Sequence, residues 1–108
     1  MVLLGRAERN DVVLREGSVS SRHAAVLVTS EERVFVVDLN STNGTFILES
    51  GLPRQASFTE ISPEATIQLG TVRISVERIL ERKEPRDTGE YTTVLDLDSG
   101  QLVRRRRV

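Results

Sequence analysis

Three short clusters of polar residues carry side chains that could bind a phosphate group. They are Gly5–Arg6, Ser20–His23 and Ser41–Thr45, and each borders an apolar run. Together they offer two guanidinium groups, several hydroxyls, an amide side chain and backbone N–H groups. A phosphorylated side chain carries about −1.5 to −2 charge at neutral pH and accepts several hydrogen bonds. This donor set therefore suits a dianionic phosphate ligand.

Each cluster taken alone has a commoner explanation. Arg6 after an apolar run is an ordinary surface charge, and Ser20 and Ser21 are typical turn residues. The pair Asn43-Gly44 most often marks a hairpin turn. His23 is the only histidine of the chain, and a lone histidine beside an apolar run is more often structural than catalytic. The order and spacing of the three clusters, rather than any one of them, carry the prediction.

Strands must hold these clusters, because short runs rich in β-branched residues, separated by turn residues, make up most of the chain. The last of the runs before position 80 alternates apolar and polar residues, as a half-buried strand does. A helix is compatible only with residues 77–83, a segment too short to be stable alone. The pattern predicts an all-β sandwich or barrel. The runs lie at residues 2–4, 11–14, 23–28, 33–39, 44–48, 65–69 and 71–77.

Length, charge and cysteine content exclude several classes of function. The 108 residues suit one domain, and 15 basic against 16 acidic residues leave a net charge of −1, so no global field draws the chain onto nucleic acid or membrane. Without cysteine and with one histidine, disulfides and a structural zinc site are excluded. No stretch resembles a signal peptide or a membrane span. We expect a soluble, cytoplasmic protein without a cofactor.

The C-terminal part returns to strand composition after a charged segment. Residues 81–91 read ERKEPRDTGEY, which is typical of a linker. Residues 92–97 and 102–108 flank a DSGQ turn, which predicts a hairpin with Gly100 at positive φ. We expect the four arginines at 104–107 to lie on an edge strand and face water. They do not indicate nucleic-acid binding, because aromatic residues for base stacking total only 4%.

In their order along the chain the clusters resemble the forkhead-associated (FHA) domain. The matching segments read LLGRAERNDVVL, VSSRHA and VVDLNSTNGTFI, and the resemblance runs from about Leu3 to Glu77. FHA domains are β-sandwiches that bind phosphothreonine peptides through loops at one end. The resemblance implies two twisted, mainly antiparallel sheets and a phosphothreonine-binding module that recruits substrates of Ser/Thr kinases. The alternative is an FHA-fold interaction domain that binds without phosphate.

The resemblance also assigns roles to individual residues. Arg6 matches the arginine that grips the phosphate, and Ser20 matches the phosphate-binding serine. Arg22 matches a basic position near the phosphate. Thr42 lines the phosphothreonine pocket, and Asn43 holds the backbone of the peptide. Ser21, between Ser20 and Arg22, completes the expected phosphopeptide-binding set.

Three further positions match structural residues of the family, namely Gly5, His23 and Gly44. His23 resembles a buried strut that fixes the loop carrying Ser20. Catalysis by His23 is not expected, because the chain has no second histidine or thiol to complete a nucleophilic site. The intact phosphate-binding set argues against the phosphate-independent alternative. We therefore expect a binding module, with neither a catalytic nor a metal site.

The order of the segments departs from the family at the front. FHA domains carry two strands before the Gly-Arg strand, whereas residues 92–108 read into residues 1–6 resemble such a beginning. This predicts a circular permutation within one domain, 1–108, in which 1–80 form the core, 81–91 the linker and 92–108 a hairpin beside the Met1–Leu4 strand. The two chain ends would then lie close together.

Two alternatives to this interpretation of the tail stay open. A hairpin exchanged between two copies would complete the same sheets, so the protein is a monomer or a hairpin-swapped dimer. Thr92 and Thr93 could instead be a kinase target whose phosphothreonine binds this or another FHA pocket. Strand propensity around the two threonines favours the hairpin.

Overall fold

The computed structural model describes residues 1–49, 51–81 and 91–106, with residues 91, 92 and 106 described by their backbone alone. Most of the expected linker and the last two residues, including the position of Val108 relative to Met1, lie outside these ranges. The described residues form eleven strands and one helix, α1 (Val76–Glu81). The strands are β1 (Val2–Gly5), β2 (Val12–Val13), β3 (Ala24–Val28), β4 (Val34–Asp38), β5 (Thr45–Glu49), β6 (Leu52–Gln55), β7 (Phe58–Ile61), β8 (Thr66–Leu69), β9 (Val72–Ser75), β10 (Tyr91–Asp96) and β11 (Gln101–Arg106).

The strands form two sheets. The larger has seven strands in the order β11-β10-β2-β1-β3-β4-β7, and the smaller has four in the order β6-β5-β8-β9. All pairings are antiparallel except those that β2 makes with β1 and β10. The predicted fold class, a sandwich of two mainly antiparallel sheets, is confirmed.

The core lies between the sheets and follows from the alternation of the strands. In β4, Val34 and Val36 are buried while the residue between them is only half-buried, and in β8 Ile67 and Leu69 alternate in the same way. Side chains at every second strand position share one face, so each sheet contributes one apolar face to the interior. The helix α1 adds Ile79, which has no exposed surface.

Strand direction brings the three polar clusters to one end of the sandwich. Leu4 pairs with Ala24, and Ala24 pairs with Asp38, so β1 ends where β3 begins and where β4 ends. In the other sheet Thr45 pairs with Leu69, so the start of β5 lies beside the turn between β8 and β9. A hydrogen bond from Leu39 N to His23 O continues the first pairing into the loops (2.9 Å).

The C-terminal hairpin forms, but its neighbour differs from the prediction. β10 and β11 pair from Tyr91↔Arg106 to Asp96↔Gln101, and Gly100 has a φ of 72° as expected. β10 is bonded to β2 through Thr93↔Val12 and Val94↔Val13. The prediction that the hairpin lies beside the Met1–Leu4 strand is therefore wrong, because β2 stands between them. The circular permutation itself stays a prediction.

Of the four arginines of the tail, those at 104–106 lie on the edge strand β11, as expected, and the side chains of Arg104 and Arg105 are exposed, whereas position 107 lies outside the described residues. Two strands were not predicted, β6 and β7. β6 reads LPRQ and is exposed throughout, so it carries no alternation and contains a proline. The helix α1 forms one residue earlier than the expected segment, and Val76, expected on the last strand, is its first residue.

Candidate functional site

Gly5 allows the end of β1 to lie directly against the Ser20–His23 loop that precedes β3. A Cβ at position 5 would overlap the carbonyl oxygen of Ser21 and would lie 2.7 Å from Nδ2 of Asn10. Asn10 is buried and donates through Nδ2 to the carbonyl oxygens of Ala7 (2.9 Å) and Ser21 (2.7 Å). Asn10 was missed in the sequence, where a lone asparagine in a turn gives no signal. It fastens the Ala7–Asn10 turn to the Ser20–His23 loop.

The side chain of Arg6 is exposed, and one of its three nitrogens is hydrogen-bonded to the described residues. Its Nε donates to the carbonyl oxygen of Val19 (3.0 Å), and its backbone N–H donates to that of Ser20 (2.9 Å). Within the described residues its two terminal nitrogens have no protein partner. The guanidinium is thus oriented by the protein while two N–H-bearing nitrogens stay available to a ligand. A guanidinium with two adjacent donors matches two phosphate oxygens at once.

His23 connects two loops from inside. It has no exposed surface, and its Nδ1 accepts a hydrogen bond from the backbone N–H of Ser20 (3.0 Å). Because Nδ1 accepts, Nε2 carries the proton of a neutral ring, and it donates to the carbonyl oxygen of Gly44 (2.8 Å). Both ring nitrogens are committed to the backbone.

Ser20 links the loops a second time through its side chain. Its Oγ accepts a hydrogen bond from the backbone N–H of Thr42 (3.0 Å). A hydroxyl that accepts in this way still has its own proton to donate. Thr42 itself is exposed, as are Ser21 and Arg22, and Arg22 makes no hydrogen bond or ion pair within the described part of the chain.

Asp38 shapes the turn that carries Thr42. Its carboxylate accepts hydrogen bonds from Ser41 N (3.1 Å), Ser41 Oγ (2.5 Å) and Thr45 Oγ1 (2.7 Å). The hydroxyl oxygen of Ser41 also accepts a hydrogen bond from the backbone N–H of Gly44 (3.0 Å). Desolvation of Asp38 opposes ionisation, but these hydrogen bonds outweigh it and hold the pKa of the carboxyl below its ordinary value. Gly44 has a φ of 85°, a region that favours glycine.

Asn43 extends the network toward the second sheet. Its Nδ2 donates to the carbonyl oxygen of Ser18 (2.8 Å), which leaves its side-chain oxygen available. Ser18 is in turn fixed by Glu16 and Thr71: Glu16 Oε2 accepts from Ser18 N (2.8 Å) and Thr71 Oγ1 (3.0 Å), and Ser18 Oγ accepts from Thr71 N (2.9 Å). Hydrogen bonds from Ser18, then Thr71, lower the pKa of Glu16. The contacts of Ser18 with Asn43 and Thr71 could not be predicted from the sequence, because these residues are far apart along the chain.

The structure thus brings most of the expected residues together. The loops that carry them are joined at one end of the sandwich by Asn10, His23 and the side chain of Ser20. Thr93 is not among them: it lies within β10 with only 3% of its surface exposed, and Thr92 precedes it in the same strand. The residues placed at this end are Gly5, Arg6, Ser20, Ser21, Arg22, His23, Thr42, Asn43 and Gly44.

The family follows from a comparison with family models. The FHA-domain model matches residues 2–70. The chain belongs to the FHA-domain family. FHA domains are interaction modules that read phosphorylated motifs.

Solved FHA structures have the same fold. The FhaA FHA domain, crystallised in complex with the intracellular domain of Rv3910, is 28% identical with a TM-score of 0.56 over 67% of this chain and 74% of that chain. An FHA domain studied for phosphothreonine-dependent interactions gives the same identity and TM-score over 67% and 70% of the two chains.

A third structure shows the fold alone. The FHA-2 domain of the Mycobacterium tuberculosis ABC transporter Rv1747, determined by NMR, is 22% identical with a TM-score of 0.55, over 99% of this chain and 75% of that chain. No curated protein matches the sequence. Among the described residues no helix is long and apolar enough to cross a membrane, and no group of three His, Asp or Glu side chains in those ranges could hold a metal ion.

Proposed function

We propose that this FHA domain binds phosphothreonine peptides and thereby recruits partners phosphorylated by Ser/Thr kinases in the cytoplasm. The observation that carries the proposal is the state of two donors at the loop end. Arg6 is fixed through Nε with its terminal nitrogens unpaired by the described residues, and Ser20 accepts from Thr42 N with its own proton left to give. Fixed donors with free N–H and O–H groups suit an anion that only accepts.

In this proposal the phosphate binds between Arg6 and Ser20. The arginine supplies two charge-assisted hydrogen bonds and the serine a third, while Arg22 and Ser21, both exposed on the same loop, contribute charge and a further hydroxyl. Because His23 and Asn10 hold these loops before any ligand arrives, little conformational freedom is lost on binding.

Thr42 and Asn43 would contact the rest of the ligand. Both are exposed on the turn that Asp38 stabilises. The amide of Asn43 is anchored to Ser18 through Nδ2, so its oxygen is oriented and can accept a backbone N–H of the peptide. Thr42 would pack against the methyl group that distinguishes phosphothreonine from phosphoserine. Burial of one methyl is worth about 0.8 kcal/mol, and up to about 3 kcal/mol in a fitted pocket.

The known structures support this interpretation. The two FHA domains that share 28% identity were studied in complex with a protein domain and for phosphothreonine-dependent interactions, respectively. We infer a binding function without catalysis, because the one histidine commits both ring nitrogens to backbone groups and has no exposed surface. It cannot approach a substrate as a general base must.

The proposal is tested by titrating one peptide sequence in three forms by calorimetry: with threonine, phosphoserine and phosphothreonine. We expect affinity to be highest for phosphothreonine, lower for phosphoserine and negligible without phosphate. Arg6→Ala should weaken phosphothreonine binding by about ten- to a hundredfold, because charge-assisted bonds worth roughly 1.5–3 kcal/mol are lost.

The matched control is Arg78→Ala, which removes an exposed arginine of α1. It should bind the phosphothreonine peptide like the unaltered protein. Equal binding of all three peptides would refute the proposal and identify a phosphate-independent interaction domain. Unchanged affinity of a folded Arg6→Ala variant would remove Arg6 from the site.

A further inference from the structure

An additional arginine lies beside the proposed phosphate site. Arg9 occupies a corner of the turn closed by the hydrogen bond from Asn10 N to Ala7 O (3.1 Å), and its side chain is exposed. The turn is fastened to the loop of Ser20 through Ala7 N and Asn10 Nδ2, which both donate to Ser21 O at 3.2 and 2.7 Å. Arg9 is therefore held next to the site by contacts of its neighbours Ala7 and Asn10 and not by its own side chain.

No protein carboxylate neutralises Arg9 in the described residues, where its side chain makes no ion pair or hydrogen bond. The adjacent Glu8 is engaged by Arg15, whose Nε and Nη2 donate to Oε1 at 3.0 and 2.7 Å. Asp11 accepts from the backbone N–H of Leu3 at 2.8 Å. Each of these two acids is turned toward another partner, and Arg9 is left facing solvent.

The opposite side of the site carries a negative charge, that of Glu16. There Asn43 is anchored to Ser18, and Ser18 is bound by Glu16, whose carboxylate also accepts from Thr71. The hydrogen bonds that hold this carboxyl in its ionised form keep a negative charge at that edge. The loop end is thus polarised, with a free cation at the Ala7–Asn10 turn and a carboxylate at the Ser18–Thr71 contact.

We propose that Arg9 reads a second anionic group on the ligand, an acidic side chain or a second phosphate on one flank of the phosphothreonine. This inference rests on the proposed function of the same site, and it adds a preference for ligands that carry a second negative charge. Because the chain has a net charge of only −1, the preference comes from the local arrangement and should be confined to one flank. An anionic group on the other flank meets Glu16 and gives no gain.

The test uses synthetic phosphothreonine peptides with uncharged polar flanks. In two series, the two asparagines immediately before or after the phosphothreonine are replaced by aspartate. We expect aspartate on one flank to raise affinity about two- to fivefold, as an exposed ion pair does, and aspartate on the other flank to leave it unchanged or lower it. The gain should shrink as salt rises from 50 to 500 mM.

Arg9→Gln removes the cation, and Arg78→Gln on α1 removes an equal charge away from the site. β9 begins beside the loop end and α1 follows from its other end, so Arg78 is a matched control. We expect Arg9→Gln to abolish the aspartate gain while it binds the neutral-flank peptide within twofold of the unaltered protein. Arg78→Gln should retain the gain.

A third peptide, with phosphoserine in place of the favoured aspartate, distinguishes the two sources of charge. A larger Arg9-dependent gain for phosphoserine indicates a doubly phosphorylated ligand, and an equal or smaller gain indicates an acidic one. No gain on either flank, or the same loss in both arginine variants, would overturn the inference while the neutral-flank peptide still binds. Failure of that peptide to bind at all would instead overturn the proposed function.

Discussion

Replacement of His23 by alanine should separate a structural histidine from a catalytic one. The imidazole has no exposed surface and joins the backbone of Ser20 to that of Gly44. In His23→Ala the Ser20 N–H and the Gly44 carbonyl lose their partner, and a void is left where the ring was. We expect a less stable domain whose phosphothreonine affinity also falls, since the Ser20 loop is no longer held.

The magnitude follows from the lost contacts. Two hydrogen bonds, at 3.0 and 2.8 Å, contribute about 0.5–1.5 kcal/mol each to folding. Loss of buried ring volume adds roughly 1 kcal/mol or more. The free energy of unfolding should therefore fall by about 2–4 kcal/mol, which for a domain of this size lowers Tm by roughly 10–20 °C. His23→Asn keeps an acceptor near the position of Nδ1 and should lose less.

The assay combines urea unfolding with calorimetric titration of the phosphothreonine peptide at a temperature where the variants are folded. Ile79→Ala is the matched control, because Ile79 is equally buried but lies on α1, and its truncation should cost about 2–4 kcal/mol. Ile79→Ala should bind the peptide with unchanged affinity, whereas His23→Ala should bind it more weakly.

Three results would refute this reasoning. A His23→Ala variant as stable as the unaltered protein would show that the two hydrogen bonds contribute nothing to folding. A variant destabilised like Ile79→Ala but with full peptide affinity would show that His23 does not organise the loop. Turnover of a phosphorylated substrate that disappears with His23 would reverse the assignment of a binding module.

Two further predictions concern Asp38 and the hairpin. Because the folded-state pKa of Asp38 is depressed, its contribution to stability is present above the unfolded value of 3.8 and is lost as pH falls through the folded value. The stability gap between the unaltered protein and Asp38→Asn, measured by urea unfolding, should be full at pH 7 and narrow below about pH 4; a constant gap would contradict this. Leu95→Ala should lower the free energy of unfolding by about 2–4 kcal/mol, because Leu95 is 4% exposed and lies in the core. Leu97→Ala in the same hairpin should lower it little, because Leu97 is 49% exposed. Equal effects of the two substitutions in urea unfolding would show that β10 does not pack against the core.

Much of the fold could be predicted because several strands bury one face only and others are short apolar runs rich in β-branched residues. The alternation in β8 and β9 and the β-branched runs of β3 and β4 carry the signal in each strand itself. β6 escaped prediction because all four of its residues are exposed, so it is held by backbone pairing to β5 and not by a buried face. Its partner, and not its own sequence, makes it a strand.

The neighbour of the hairpin escaped prediction for a different reason. β2 has only two residues, yet it bonds on one side to β1 and on the other to β10, in parallel on both. A register of two residues leaves almost no pattern in the sequence. The hairpin could be predicted from its turn and strand composition, whereas its place in the sheet depends on where the chain folds back after Arg6.

The site shows the same division between local signal and distant contact. Arg6, Ser20, Thr42 and Asn43 could be proposed as site residues because they stand in short motifs with fixed spacing. His23, which orients the Ser20 loop, was also predicted, but Asn10 and Thr71 could not be, since Asn10 reaches Ser21 across eleven positions and Thr71 reaches Ser18 across fifty-three. Such pairs become visible only when strand direction has brought the loops to one end.

The hydrogen bonds also explain how exposed loops can hold ligand-binding groups in fixed positions. The inward atoms of the site residues are satisfied by the protein: Nε of Arg6 by Val19, Oγ of Ser20 by Thr42, and Nδ2 of Asn43 by Ser18. The atoms left over are donors at Arg6 and Ser20 and an acceptor at Asn43. A phosphate offers only acceptors and a peptide N–H only a donor, so these unsatisfied groups complement the phosphopeptide ligand of the proposed function. Because the loops are already joined through His23, a ligand bound as proposed would not have to order them, and more of its interaction energy would be retained as affinity.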